Sequence, residues 1–268
     1  MDLNAFRAET REWIEANCPE GAKGPGPVPL GSTKVDMASD ARLWLERMVE
    51  KGWTVPTWPK SYGGAELERP QYEILIDELK RAGARTPLTG RGVNYIGPTI
   101  LEFGTDEQKA KWLPICSRGE GAWAMGYSEP GAGSDVSNIQ TTAVRDGEYF
   151  VINGSKKWIT GGHIAHYFTM LCRTGKSGAA GTTVILVPAD TPGLRVRKMK
   201  TQFDSCHGTT FINMDDVRVH ERMMIGEEGK GFNYITRNFN HERFVIAAGV
   251  VRMARVCYEE AFKEAQMR

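Results

Sequence analysis

Nine residues, Tyr127-Ser128-Glu129-Pro130-Gly131-Ala132-Gly133-Ser134-Asp135, gather hydroxyls, two carboxylates and a Gly-Ala-Gly turn directly after an apolar stretch, Ala122-Trp123-Ala124-Met125. A loop of that make-up can lay backbone N–H groups and short hydroxyl donors against a polar, planar or phosphorylated ligand. Further along, Lys157-Trp158-Ile159-Thr160 closes a β-patterned run. Side chains two apart on a strand share a face, so Trp158 offers an aromatic plane on the side where Thr160 offers a hydrogen-bond donor. Taken separately, the two pieces have plainer readings, a turn and strand-end packing.

A third constellation is Asn238-Phe239-Asn240-His241-Glu242-Arg243, at the start of the last helical pattern. On helical spacing Glu242 shares a face with Phe239, Val245, Ile246, Gly249 and Met253, which sets a carboxylate in an apolar stripe with a side-chain-free gap two turns on. A desolvated acid beside such a gap has room for a ligand and suits abstraction of a weakly acidic proton. The alternative is that Glu242 pairs with an arginine or caps a neighbouring element.

The elements that must position these groups follow from the periodicity. Residues 1–120 read as a helical domain. Phe6, Trp13 and Ile14 mark one amphipathic helix, Leu43, Leu45, Met48 and Val49 a second, and Pro70 to Arg81 a third with Tyr72, Leu75, Ile76 and Leu79 inward. Asn94 to Phe103 and Asp106 to Cys116 follow, the latter opened by Thr105 as N-cap. Residues 121–230 carry short β-rich segments broken by Gly, Asn and Asp turns, which predict a small antiparallel barrel or sandwich. Asp146-Gly147 and Asn153-Gly154 are its hairpin signals. Residues 231–268 return to one long helix, with Phe239, Ile246, Val250 and Ala254 as buried candidates. The fold class is thus α+β and multidomain.

Composition narrows the function. Of 268 residues, 41% are apolar and 25% charged, and Lys plus Arg number 34 against 33 Asp plus Glu. That balance, with no long single-sign run, predicts neither a nucleic-acid partner nor an anionic membrane surface. No apolar run reaches membrane-spanning length. Five scattered cysteines without a C-x-x-C pair read as reduced thiols, and the acidic residues Asp2, Glu9, Glu12 and Glu15 speak against a secretory leader, so the expected location is cytoplasmic. His163, His166, His207 and His241 lack a spacing that would bring two metal ligands together, and no metal site is expected. Asp204-Ser205-Cys206-His207 suggests thiol catalysis only weakly, because adjacent residues rarely face each other. Gly131-Ala132-Gly133 lacks the third glycine of a dinucleotide fingerprint and precedes β-patterned sequence.

The Ser-Glu-Pro-Gly-Ala-Gly-Ser-Asp loop and the Trp-Ile-Thr strand end, in this order and spacing, resemble the acyl-CoA dehydrogenase family of flavoproteins. The order helix block, β block, helix block agrees, and the resemblance spans essentially the whole chain. It implies FAD as cofactor. It sets Met125, Tyr127 and Ser128 at the flavin's pyrimidine edge, with Ser128 where the family usually has Thr. Gly133 and Ser134 fall on the cofactor and thioester side. In the flavin-holding strand Trp158 covers one flavin face, Ile159 follows it, and Thr160 reaches toward N5. Asn240, Arg243 and Ser134 fall near the acyl-CoA.

In the isovaleryl and long-chain branches the catalytic base occupies the position of Glu242, while in most others it comes from a later helix. Asp215-Asp216-Val217-Arg218-Val219 resembles a family strand, with His220 where Pro is usual. The family also implies an electron-transferring flavoprotein as partner, a homodimer or homotetramer, and a place in fatty acid metabolism. The sequence stops inside what resembles the first helix of a C-terminal bundle, so either a truncated product or a partner chain that replaces the rest of the bundle is expected. Two other readings stay open: an oxygen-using relative such as an acyl-CoA oxidase or nitroalkane oxidase, and a non-catalytic subunit that binds without turnover.

Overall fold

The computed structural model describes residues 2–202 and 208–268, without the side chain of His241. The Asp204-Ser205-Cys206-His207 stretch therefore lies outside the described residues.

Helix α1 (Leu3–Asn17) opens where the Asp2 carboxylate accepts from the Asn4 N–H, and α5 (Asp106–Ser117) opens with Thr105 as N-cap, as the sequence predicts, in a capping box completed by Gln108. With α2 (Ser39–Glu50) and α3 (Arg69–Arg81), α1 encloses a core of Ile14, Trp44, Met48, Leu75 and Leu79. The sequence reading placed Tyr72 inward, but that side chain is exposed, and Ile74 is buried instead. On one edge of this core the Glu78 carboxylate, 1% exposed, accepts from Arg7, Arg11 and Arg81 at 2.7–3.1 Å. The stretch expected as one helix from Asn94 begins earlier, with a π-wound turn over Gly92–Ile96, and runs into α4 (Gly97–Phe103). A π-turn re-aims the side chains it carries and is commonest at functional sites.

The β block forms one sheet of eight strands: β1 (Trp123–Gly126), β2 (Thr142–Asp146), β3 (Tyr149–Thr160), β4 (Tyr167–Arg173), β5 (Thr182–Pro188), β6 (Leu194–Met199), β7 (Thr209–His220) and β8 (Met224–Ile225). The order is β6-β7-β3-β2-β4-β5-β8, with β1 added on β4. Most pairs are antiparallel, as expected, but β1 runs parallel to β4 and β2 meets β4 in parallel at Thr142–Arg173. Asp146-Gly147 does close the β2–β3 hairpin, with Gly147 at φ +60°. Asn153-Gly154 does not turn the chain. It sits inside the twelve-residue β3, where the register slips between Ile152 and Gly154. There the Asn153 side chain exchanges hydrogen bonds with Asp216 at 2.8 and 2.9 Å, which satisfies a bulge by the same chemistry that would have served a turn.

Helix α6 (Gly231–Met267) is anchored only by its first turns, where Tyr234 stacks on Phe103 at 4.2 Å and Ile235 is buried. Ile246, Val250 and Ala254, expected in a core, are exposed, because no described residue packs against that part of the helix. Among the described residues no helix is long and apolar enough to cross a membrane, and no group of three metal-ligating side chains occurs.

Candidate functional site

The parallel pairing of β1 with β4 carries the chain outward from the sheet into the hydroxyl-rich loop. Tyr127, at the start of that loop, is buried. Its hydroxyl accepts from Thr169 at 3.3 Å, and burial raises its pKa to about 12, against a smaller lowering by Thr169. Ser128 is half-buried, while Gly133 and Ser134 lie on the surface. Glu129 and Ala132 close a tight turn by exchanging backbone hydrogen bonds at 2.9 and 3.2 Å. A Cβ added at Gly131 or Gly133 would meet nothing within 4 Å, and neither has a positive φ. Nothing inside the chain therefore requires glycine at these two positions, whereas close backbone approach by a ligand would.

Beside the loop, the Lys157 N–H donates to the Ser128 carbonyl at 2.9 Å. The next residue, Trp158, has φ +66°, and the β3–β7 register slips between Lys157 and Ile159. Left-handed backbone is an outlier for so bulky a residue, and such positions cluster at functional sites. The bulge interrupts strict period-two alternation here, and Trp158 and Thr160 both lie outside the core. Trp158 is 54% exposed, with the Lys157 ammonium 4.5 Å from its ring centre. Thr160 is half-buried and borders a cavity of about 20 Å³ with Arg91, Trp123 and Gly161. Ile159 turns into the β core and its carbonyl accepts from Thr210 at 2.8 Å, so its side chain does not belong to the ligand-facing set.

Two groups that the sequence reading passed over hold the loop in place. The Lys156 side chain, fully buried, donates to the Leu171 carbonyl at 2.6 Å, to Glu129 Oε1 at 2.8 Å and to the Tyr127 carbonyl at 3.2 Å. Glu129 also accepts from the Gln140 and Thr141 N–H groups at 2.6 and 2.9 Å. Burial pushes the Glu129 pKa up, but Lys156 and the N–H donors outweigh it and hold the carboxylate below its usual range. No periodicity marks a lysine as core. The signal would have been its place two residues before Trp158, in step with the inward positions of β3.

Glu242 is half-buried at the point where α6 leaves the body of the chain. Phe239, one turn earlier, meets Tyr127 edge-on. The expected apolar stripe is present in sequence, but Val245, Ile246 and Met253 are exposed, and Gly249 faces open space. The groups that feel the Glu242 charge are instead Arg91 and Tyr95, from the π-turn region, and Tyr127. Burial lowers the pKa of Arg91 and raises that of Tyr95; the Glu242 charge opposes the first shift and adds to the second. Neither residue figured in the sequence reading. Asn240 and Arg243 are both exposed, joined by a hydrogen bond at 3.5 Å, with the guanidinium 5.9 Å from the Phe239 ring centre. The loop meets α6 through Tyr127 and Phe239, and Arg91, which borders the small cavity beside Thr160, feels the Glu242 charge. Two clefts, of about 660 Å³ beside Asp36 and Met37 and about 600 Å³ beside Trp112 and Met224, contain none of these groups.

Three family models match nearly the whole chain: acyl-CoA dehydrogenase N-terminal domain over residues 2–120, middle domain over 124–217 and C-terminal domain over 229–268. The chain is 32% identical over 275 residues to the acyl-CoA dehydrogenase IpdE1 of Mycolicibacterium smegmatis, an alignment covering 95% of this chain and 68% of that protein. It is 39% identical over 197 residues to the acyl-CoA dehydrogenase AFT10-1 of Alternaria alternata, covering 73% of this chain and 46% of the relative. The solved Tcur3481-Tcur3483 steroid ACAD superposes with a TM-score of 0.71 at 35% identity, over 95% of this chain and 64% of that one. The chain belongs to the acyl-CoA dehydrogenase family. It spans about half to two thirds of the length of the relatives it matches.

Proposed function

We propose that this chain supplies the flavin-holding surface and the α-proton base of an FAD-dependent acyl-CoA dehydrogenase. The observation that carries the reading is Trp158. Its exposed ring is held on strained backbone directly beside a loop whose glycines answer to no contact within the chain. The residues present fit an isoalloxazine. Trp158 offers a face, Thr160 a donor toward N5, and Met125, Tyr127 and Ser128 backbone and hydroxyl groups for the pyrimidine edge. Gly133 and Ser134 leave room for the rest of the cofactor and the thioester. Ile159 contributes through its backbone alone.

The chemistry FAD supplies when bound is acceptance of a hydride from the acyl β-carbon. Glu242 takes the proton from the α-carbon, so that the C–H bond pair becomes the new α,β double bond as the β-hydride departs. Arg91 offsets the Glu242 charge from the π-turn side, and Asn240 and Arg243 stand on the solvent side for the polar part of an acyl-CoA. An electron-transferring flavoprotein would serve as the electron acceptor, and the complete protein would form a homodimer or homotetramer.

The test is anaerobic addition of saturated acyl-CoA thioesters to the FAD-loaded protein. Bleaching of the flavin band, followed by slow reoxidation in air while ligand stays bound, is the expected result. Rapid reaction with oxygen would assign an oxidase instead, and retention of flavin without bleaching by any thioester would assign a non-catalytic subunit.

A further inference from the structure

Lys156 occupies a position that apolar residues should own. On β3 its inward neighbours Phe150, Ile152 and Ile159 are core, and Lys156 itself is 0% exposed. All three ammonium donors are used, on the Leu171 carbonyl, Glu129 Oε1 and the Tyr127 carbonyl. Cys172 adjoins the pair as a neutral thiol, its pKa pushed up to about 12 by burial.

A buried ion pair is a poor device for stability. Removing two charges from water costs several kcal/mol, and well-packed apolar residues of similar volume often serve as well or better. What this pair accomplishes is geometric. One side chain ties the backbone of Tyr127, the carboxylate of Glu129 and the β4 carbonyl of Leu171 to the strand position two residues before Trp158. The intervening Lys157 bonds to Ser128, and only then does the backbone enter the left-handed region at Trp158. A bulky residue keeps that conformation only where its surroundings over-determine it. The Glu129–Ala132 turn, closed by its own backbone pair, is anchored through the same carboxylate.

We propose that the Lys156–Glu129 pair is a positioning latch that couples the Tyr127–Ala132 loop to the Trp158 bulge, so that both ligand-facing segments are set before any cofactor arrives. That these segments face FAD rests on the function proposed above; their coupling is a property of the chain itself.

The double variant Lys156→Met, Glu129→Leu removes both charges at similar volume, and Glu129→Gln keeps the shape but weakens the bond. Three readouts on the full chain decide the matter: the melting temperature of the apoprotein, amide exchange by peptide, and FAD titration. The double variant should melt below the wild type, because the Gln140 and Thr141 N–H groups and the Tyr127 and Leu171 carbonyls lose their partners, with the rise in exchange largest, about tenfold, in peptides over 127–134 and 157–161, and should bind FAD about tenfold more weakly. Glu129→Gln should move the same two segments to a smaller extent. Wild-type exchange in both segments for both variants overturns the latch. So does a rise in exchange that is uniform along the chain, which would mark the pair as merely structural. Should the wild-type chain take up no FAD, the flavin reading fails while the exchange pattern still decides for or against the latch.

Discussion

Phe239 of α6 stands edge-on to the buried ring of Tyr127, with centroids 6.0 Å apart and 64° between the planes. This contact joins the last anchored turn of α6 to the root of the hydroxyl-rich loop, and Glu242 follows one turn later. The placement of Glu242 therefore depends on an aromatic pair contributed by two segments more than a hundred residues apart in sequence. Replacing Phe239 by Ala removes the pair and half-buried apolar area, a loss of about 1–3 kcal/mol. The expected outcome is a lower melting temperature together with faster amide exchange over the first turns of α6. Unchanged exchange there would mean that Tyr127 does not hold the helix.

Glu242→Gln keeps the shape of the side chain but cannot accept a proton. The variant is expected to bind FAD and acyl-CoA as the wild type does and to lose substrate bleaching of the flavin, by about a hundredfold or more in rate. Near-wild-type bleaching would give the base to another residue and leave Glu242 a charge partner of Arg91.

Glu78 predicts an acid-labile step far from the site. Hydrogen bonding from Arg11, with help from Arg81 and Arg7, outweighs burial and lowers its pKa from the ordinary 4.5 to about 2. A depressed carboxylate pKa contributes stability that is fully present above pH 4.5 and is lost as pH falls toward 2. The full shift would correspond to about 3 kcal/mol; with the three arginines about two-fifths exposed, screening reduces this to about 1–3 kcal/mol. Glu78→Gln should lower the neutral-pH melting temperature and flatten its decline between pH 5 and pH 2. A variant with the wild-type acid profile would show that the cluster carries no such linkage.

The family and the order of blocks were legible because glycines, hydroxyls and the Trp-Ile-Thr run are local signals. The N-cap at Thr105 and the Asp146-Gly147 hairpin were legible for the same reason. Asn153-Gly154 was misleading because one dipeptide serves a turn or a bulge, and only the partner strand, through Asp216, decides between them. Lys156 was invisible because its partners come from two segments distant in sequence, the Tyr127–Glu129 loop and Leu171 on β4, and Arg91 and Tyr95 because a π-turn shifts side chains off the 3.6-residue period. The Ile246 and Val250 stripe was read correctly as apolar, yet burial needs a neighbour that the described residues do not supply.

Thr160→Val keeps volume and strand propensity while deleting the hydroxyl. If Thr160 donates toward N5, the bound flavin should become harder to reduce, seen as a more negative midpoint potential in dye-equilibrated titration. An identical potential and absorption spectrum would remove Thr160 from the cofactor's surroundings.

The central claim is that the Tyr127–Ser134 loop and the Trp158–Thr160 strand end together form a flavin surface. Titration of the purified chain with FAD, followed by quenching of flavin fluorescence and repeated with Trp158→Leu, tests it most directly. The account predicts saturable uptake of one FAD per chain, weakened about tenfold or more when the aromatic face is lost. Saturable binding that Trp158→Leu leaves unchanged, or no binding by a chain whose circular dichroism shows it folded, would contradict the account.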